Sequence, residues 1–315
     1  MRVILAAEES AGLQVLELLR ETGHEIGGVL ADPSRAEAGG ASVWRVAESA
    51  GLRLWPARRV REPAFAEELR AVAPDLLLNV HSLYVIRGEI LGVTTRGSFN
   101  LHPGPLPRYA GLNAVSWAIY RGEREHGVTL HAMEPGIDTG GVFAQASFPI
   151  EDTDSALAVS VRCVELGMSL IRDLLQSCQA SNGPPDLTPQ ELARREYFGR
   201  EVPRDGWIDW SRSAREVVNL VRACDYAPFH SPWGQARTRR GETTFSILKA
   251  DRIDEAPGAP PGTVVASEGR TLQVAAGEGT VVVRRLAVDG RPVRPADHLA
   301  LGDRLSGSEP GDRQE

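Results

Sequence analysis

The order of apolar and polar residues breaks the chain into short alternating runs. Residues 2–7 (RVILAA) carry a nearly unbroken apolar stretch and read as a buried strand. Leu13, Leu16, Leu18 and Leu19 then recur at a spacing that gives a helix one buried face, with Ser10 placed to cap its start. EIGGVLA (25–31) and DLLLNV (75–80) read as further strands, and Val43–Ala50 and residues 64–72 as further helices. Strand and helix alternating at this spacing predict an α/β protein with a doubly wound, mostly parallel, Rossmann-like sheet. Ligands in such sheets bind beyond the carboxyl ends of the strands. Asn79–Ser82 and Asn100–His102 fall at two of those ends.

Further along, a long helix is expected over Ser155–Gln179, begun by the TDS sequence around Asp154. ASNGPPDLTP (180–189) is rich in glycine, proline and polar residues and reads as a linker. SRSAREVVNLVRACDY predicts a helix that packs through Val217, Leu220, Val221 and Cys224. Beyond Pro228 the pattern changes to short β-rich runs (TTFSIL, GTVVAS, TLQVAA, TVVVRRLAV) broken by glycines, as in a small barrel or sandwich. The expected division is a catalytic domain over 1–203 (linker about 180–203), a helix plus small β-barrel over 204–306, and a flexible tail at 307–315.

Composition narrows the classes. The 315 residues are 42% apolar and 24% charged, ordinary for a globular protein of one large or two medium domains. No apolar run reaches the ~18 residues of a membrane span, and the first apolar run is too short for a signal-peptide core. Cys163, Cys178 and Cys224 are odd in number and lack metal-ligand spacing, so reduced thiols in a cytoplasmic protein are expected. The net charge is −7, and residues 205–315 hold 15 Lys+Arg against 16 Asp+Glu. A nucleic-acid partner wants a basic face and is therefore disfavoured. No G-x-G-x-x-G follows the first strand and no Walker-type loop occurs, which argues against a nicotinamide dinucleotide or a P-loop nucleotide.

The chemistry gathers in residues 98–141, SFNLHPGPLPRYAGLNAVSWAIYRGEREHGVTLHAMEPGIDTGG. Asn100 and His102 lie two apart, so strand alternation points both into one cleft. Asp138 follows 36 residues after His102, beyond a second apolar run. An imidazole can move protons at cellular pH, an amide can donate a hydrogen bond to a developing oxyanion, and a buried carboxylate can orient the imidazole. Those are the parts needed to move an acyl group between nitrogens.

FNLHPGPLPRYAG and GVTLHAMEPGIDTGG closely resemble the two halves of the signature of the 10-formyltetrahydrofolate-dependent formyltransferases. The resemblance continues through IDW at 208–210, Asn219, Arg222 and PGTVV at 261–265, which are similar to the C-terminal region of the methionyl-tRNA formyltransferases and their relatives. It implies Asn100, His102 and Asp138 as the catalytic trio, 10-formyltetrahydrofolate as the donor and no metal. It also implies a pterin lying against Leu83, Tyr84, Val85 and Ile86 and against the loop Glu134, Pro135, Gly136, Ile137, with Arg87 and Leu91 as further neighbours. For the C-terminal region it implies a small open barrel.

There are departures from the family pattern. Gly104-Pro105-Leu106-Pro107 stands where the family often has Ser-Leu-Leu-Pro, and DPSRAEAGGAS (32–42) carries one arginine where the tRNA enzymes have a longer basic loop. DYAPFHSPWGQA (225–236) replaces the more usual Pro-x-Pro-Gly-Ala ending. The acceptor is therefore expected to be a primary amine, or a hydroxylamine, on a small molecule such as a nucleotide-linked amino sugar or an amino-acid or natural-product intermediate. Methionyl-tRNA and an inactive folate-binding protein are the alternatives. His81, Glu8, Tyr109 and Trp233 are the candidate acceptor contacts, against bland readings of a solvated loop for Glu8 and loop packing for Tyr109. His126 and His131 bracket the GVTL strand and have the weaker claim of turn residues, and Trp117 reads as core.

Overall fold

The computed structural model describes residues 1–36, 42–82, 84–181, 183–256, 258–268 and 270–307. The chain forms two compact units. The first holds Met1–Gly111, Gly127–Phe148 and Val161–Tyr197; the second holds Leu112–His126, Pro149–Ser160 and the chain from Phe198 onward.

The first unit is built on a seven-stranded sheet in the order β3-β2-β1-β4-β5-β7-β8. Its strands are β1 (Arg2–Ala7), β2 (Glu25–Ala31), β3 (Leu54–Pro56), β4 (Leu76–Val80), β5 (Gly97–His102), β7 (Glu125–Ala132) and β8 (Val142–Pro149). The two-residue strand β6 (Ala110–Gly111) lies in the loop after β5. Strands β1 to β5 pair in parallel, and β5 pairs with β7 antiparallel. β1 is central, and Val3 to Ala7 have no solvent exposure, which explains the apolar run: both faces of that strand are covered. Helices α1 (Glu9–Glu21), α2 (Val43–Ser49), α3 (Phe65–Val72) and α4 (Gly88–Leu91) connect the parallel strands. Phe65 and Trp55 meet edge to face at 5.3 Å in a core that includes Ile4, Leu30 and Leu77. Gly28 is obligatory there, because a Cβ would sit 2.1 Å from Cζ3 of Trp55.

Two sequence expectations change. Ser10 does not cap α1; the residue before that helix is Glu8, whose carboxylate instead accepts the Asp32 N–H at 2.6 Å. Ser10 falls inside the first turn, and Glu9 takes φ +61° to start it. The stretch expected as a linker is tied to the first unit: Thr188 and Val142 exchange backbone hydrogen bonds at 2.8 Å.

The second unit brings α5 (Ala114–Tyr120) against α7 (Ala214–Ala223), with the Ser116 hydroxyl donating to the Ala223 carbonyl at 2.9 Å. This explains why residues 112–126, inside the stretch expected as one catalytic domain, belong to the second unit. Trp117 stacks on Phe198 at 4.9 Å and meets Trp233 edge-on at 5.0 Å. α6 (Ala156–Ser181) runs two residues beyond its expected end, and β9 (Tyr197–Phe198) follows. α7 starts with a capping box, Ser213 and Glu216 each bonding the other's backbone. It packs on a six-stranded antiparallel sheet of β10 (Ala236–Arg240), β11 (Thr243–Ile253), β12 (Val264–Glu268), β13 (Thr271–Ala275), β14 (Thr280–Val288) and β15 (Arg291–Val293). A last turn, α8 (Pro295–His298), follows. Residues 308–315, most of the expected tail, lie outside the described residues. Among the described residues no helix is long and apolar enough to cross a membrane.

Candidate active site

Strand register sets the site. Parallel pairing puts Asn79 beside Asn100, and antiparallel pairing puts Asn100 beside His131 and His102 beside Thr129. The three polar residues Asn79, Asn100 and His131 thus form one row across β4, β5 and β7. Along that row Asn79 Nδ2 donates to Asn100 Oδ1 at 2.8 Å. The Asn100 amide is thereby oriented with Nδ2 turned toward His131, whose Nε2 lies 3.2 Å away. Nδ1 of His131 lies 2.8 Å from the Ala132 carbonyl, which only accepts, so Nδ1 carries a hydrogen.

Asp138 reaches the row from the loop after β7, with φ +54°, a conformation aspartate tolerates better than most residues. One carboxylate oxygen, Oδ2, accepts the Gly111 N–H at 2.8 Å and lies 3.6 Å from His102 Nδ1. The other, Oδ1, lies 3.5 Å from His131 Nε2. The imidazole and the carboxylate that lie far apart in sequence are therefore neighbours. His102 Nε2 lies 2.7 Å from the Tyr109 carbonyl, so this nitrogen carries the hydrogen in the neutral ring and Nδ1 faces the carboxylate bare.

Burial works on both groups. His102 is 4% exposed, and desolvation pushes its pKa below the ordinary 6.5, against the pull of Asp138 and the Tyr109 carbonyl. Burial would raise the Asp138 carboxyl, but the His102 field, the His131 contact and the Gly111 N–H outweigh it and hold the pKa down to about 2. At neutral pH the pair is a neutral imidazole beside a carboxylate.

The surrounding loops are pinned by side chains the sequence did not single out. Thr129 Oγ1 donates to the Gly104 carbonyl at 2.7 Å and accepts from the Leu106 N–H at 3.2 Å and Gln145 Nε2 at 2.7 Å. Gln190 Nε2 bonds the carbonyls of Asp138 at 3.0 Å and Gly140 at 2.6 Å, and Arg195 bonds that of Ile137 at 2.9 Å. The supposed linker thus holds the Asp138 loop. Strand register is the signal that would have found His131, since it falls opposite Asn100 once β5 and β7 are paired.

The expected pterin neighbours lie on two segments that approach each other: a Cβ on Gly88, at the start of α4, would be 3.8 Å from Pro135 Cγ. Tyr84, Leu91 and Met133 pack on one core cluster, Ile86 is inside it, and Val85 and Ile137 present exposed apolar side chains. Arg87 pairs with Glu89 at 3.5 Å, Glu134, Pro135 and Gly136 are exposed, and Leu83 lies outside the described residues.

The candidate acceptor contacts fare differently. His81 faces Glu9 at 3.4 Å, and Glu9 also pairs with Arg35 at 3.3 Å, an ionic cluster at the carboxyl edge of the sheet. The other three are buried. The Glu8 carboxylate is buried and engaged by Asp32, and burial raises its pKa. The Tyr109 ring is fully buried, and its carbonyl lies against His102 Nε2. Trp233 is buried in the second unit between Trp117 and Tyr120. The cysteines are buried free thiols, and burial raises Cys163 and Cys224 to about 12.

Comparison with known proteins agrees with this arrangement at the level of family and fold. Residues 3–175 match the formyl transferase model and residues 202–304 match the model of the formyl transferase C-terminal domain. Among solved structures, the N-formyltransferase from Helicobacter canadensis, in complex with folinic acid and dTDP-3-aminofucose, superposes with TM-score 0.69 at 18% identity, over 89% of this chain and 97% of that one. HypX from Aquifex aeolicus in complex with tetrahydrofolic acid gives TM-score 0.65 at 20% identity, over 94% of this chain but 46% of that longer one. Methionyl-tRNA formyltransferase from Clostridium thermocellum gives 0.57 at 17% identity, over 80% and 93%. With matching N-terminal and C-terminal regions, the chain belongs to the formyl transferase family.

Proposed function

We propose that this enzyme moves a formyl group from 10-formyltetrahydrofolate to a primary amine, or a hydroxylamine, of a small acceptor, with nucleotide-linked amino sugars as the favoured class. The supporting observation is the convergence of Asn100, His102 and Asp138 at the carboxyl ends of β4 and β5, with Asn100 oriented by Asn79 and His131. In this reading the acceptor nitrogen attacks the formyl carbon, and a new C–N bond forms as the carbonyl oxygen takes up charge. Asn100 Nδ2–H donates to that oxyanion. His102 Nδ1, the bare ring nitrogen, takes the proton released by the acceptor amine. Asp138 Oδ2, 3.6 Å away, stabilises the resulting imidazolium. Collapse of the intermediate breaks the bond from the formyl carbon to N10, and the imidazolium returns its proton to that nitrogen.

The folate would lie along 84–87, Leu91 and the 134–137 loop, where exposed apolar side chains flank polar backbone. A sugar-nucleotide acceptor is favoured by the net charge of −7 and by the single arginine in the loop after β2, neither suited to a tRNA. The test is mass spectrometry of products after incubation with 10-formyltetrahydrofolate and a panel of amino-sugar nucleotides, amino acids and methionyl-tRNA. One formyl mass added to a small amine is the expected result. Formylation of methionyl-tRNA alone would overturn the acceptor class, and no transfer to any amine would overturn the activity.

A further inference from the structure

The antiparallel sheet of the second unit carries an open, arginine-lined cavity whose lining includes none of Asn100, His102 and Asp138. Its volume is about 390 Å³, and its lining includes Arg270, Arg284, Arg285, Arg294, Val293 and Pro295. Local strand geometry explains why two of these arginines are adjacent in sequence. Successive strand residues normally face opposite sides of a sheet, yet Arg284 and Arg285 are both exposed. Opposite them the pairing of β11 with β14 slips twice, between Ile247 and Lys249 and between Lys249 and Ala250. A bulge of this kind twists a strand and re-aims its side chains, here turning both guanidinium groups outward. Lys249, the only lysine in the chain, is the register partner of Arg285 and is also exposed.

The charge of the cavity is unbalanced. Arg284 bonds Asp251 at 2.7 Å, but among the described residues Arg270, Arg285 and Arg294 make no ion pair. No carboxylate lines the cavity among the described residues. Guanidinium groups crowded around one space repel each other unless an anion sits between them. A chain with net charge −7 has no general reason to collect them there. The guanidinium fork matches phosphate oxygens two at a time, which suits an open, charge-lined depression. Val293 and Pro295 add an apolar wall against which a ring can lie.

We propose that this cavity binds a nucleoside diphosphate, whose two linked phosphates are held by Arg270, Arg285 and Arg294, at a site separate from Asn100, His102 and Asp138. The experiment is calorimetric titration of the full chain with inorganic pyrophosphate, and separately with thymidine diphosphate, at about 0.15 M salt. The variant is the double substitution Arg285→Gln and Arg294→Gln. Saturable binding of both probes is expected, weakened about tenfold or more in the variant. Formyl transfer under substrate saturation should be unchanged, because neither arginine belongs to the Asn100–His102–Asp138 group. Pyrophosphate should also protect Arg285 and Arg294 from arginine-selective modification read by peptide mass spectrometry, which separates this cavity from a second phosphate site elsewhere. Absence of binding, binding indifferent to the double substitution, or protection of other arginines only would overturn the proposal. So would a single-stranded RNA oligomer that binds more tightly than either probe and loses affinity in the variant, since that marks a nucleic-acid surface.

Discussion

Replacing Asp138 by asparagine should cost stability and turnover together, with a pH dependence that identifies the cause. The carboxyl has an ordinary pKa of 3.8 and is held at about 2 in the fold. At roughly 1.36 kcal/mol per pKa unit, this difference makes the ionised form worth about 2 kcal/mol to the folded state while His102 carries its proton. The folded pKa is the depressed one, so the contribution is complete well above 3.8 and disappears as pH falls through about 2. Linkage leaves most of it at pH 4 and about half at pH 3. Asparagine mimics the protonated acid. The stability gap between the native protein and Asp138→Asn should therefore narrow along that curve. Urea unfolding followed by tryptophan fluorescence at a series of pH values measures it. Formyl transfer by the same variant should fall by about 10²- to 10⁴-fold, because the imidazolium loses its counter-charge. A gap constant from pH 7 to pH 3, or an unaltered turnover, would refute the electrostatic account of this residue.

Four further outcomes follow from the geometry. His102→Ala should reduce kcat by about 10²-fold or more while leaving folate binding intact, as compared by single-turnover assay and equilibrium dialysis. Because burial lowers the His102 pKa, activity in the native protein should hold steady from neutral pH to below 6.5 and decline only in more acidic buffer; a decline centred above 6.5 would contradict this. Asn79→Ala should lower kcat about tenfold with little change in KM for the acceptor, since it frees the Asn100 amide to rotate without removing it. Gly140→Ala should destabilise the Asp138 loop by a few kcal/mol in thermal unfolding (~2–4), as its Cβ would lie 2.0 Å from the Ala132 carbonyl oxygen.

The parallel sheet was legible because its strands are buried on both faces and written in unbroken apolar letters. RVILAA and EIGGVLA became β1 and β2 within a residue of their expected limits. Asn100 and His102 were legible for a related reason: a strand's two-residue alternation makes the meeting of side chains two apart a local matter. His131 was not, because its partner is set by which strand lies next to β5, and that depends on packing across the whole sheet. The burial of Tyr109 and Trp233 is not written in the sequence, since an aromatic ring in a loop carries no periodicity to say which way it faces. Gln190 and Arg195 lie in a stretch whose composition resembles any linker, and their grip on the Asp138 loop exists only in three dimensions.

The row of Asn79, Asn100 and His131 is held by hydrogen-bond ladders of the main chain, while the segments expected to meet folate and amine are carried on connecting loops. A change of residue in those loops can redraw the substrate's outline without moving any member of the row. A one-position slide of β5 against β7, in contrast, would turn Asn100 and His102 to the far side together. Descendants of this scaffold are thus free to explore new amines through point changes at the rim. An insertion or deletion inside β5 or β7 would break the row itself.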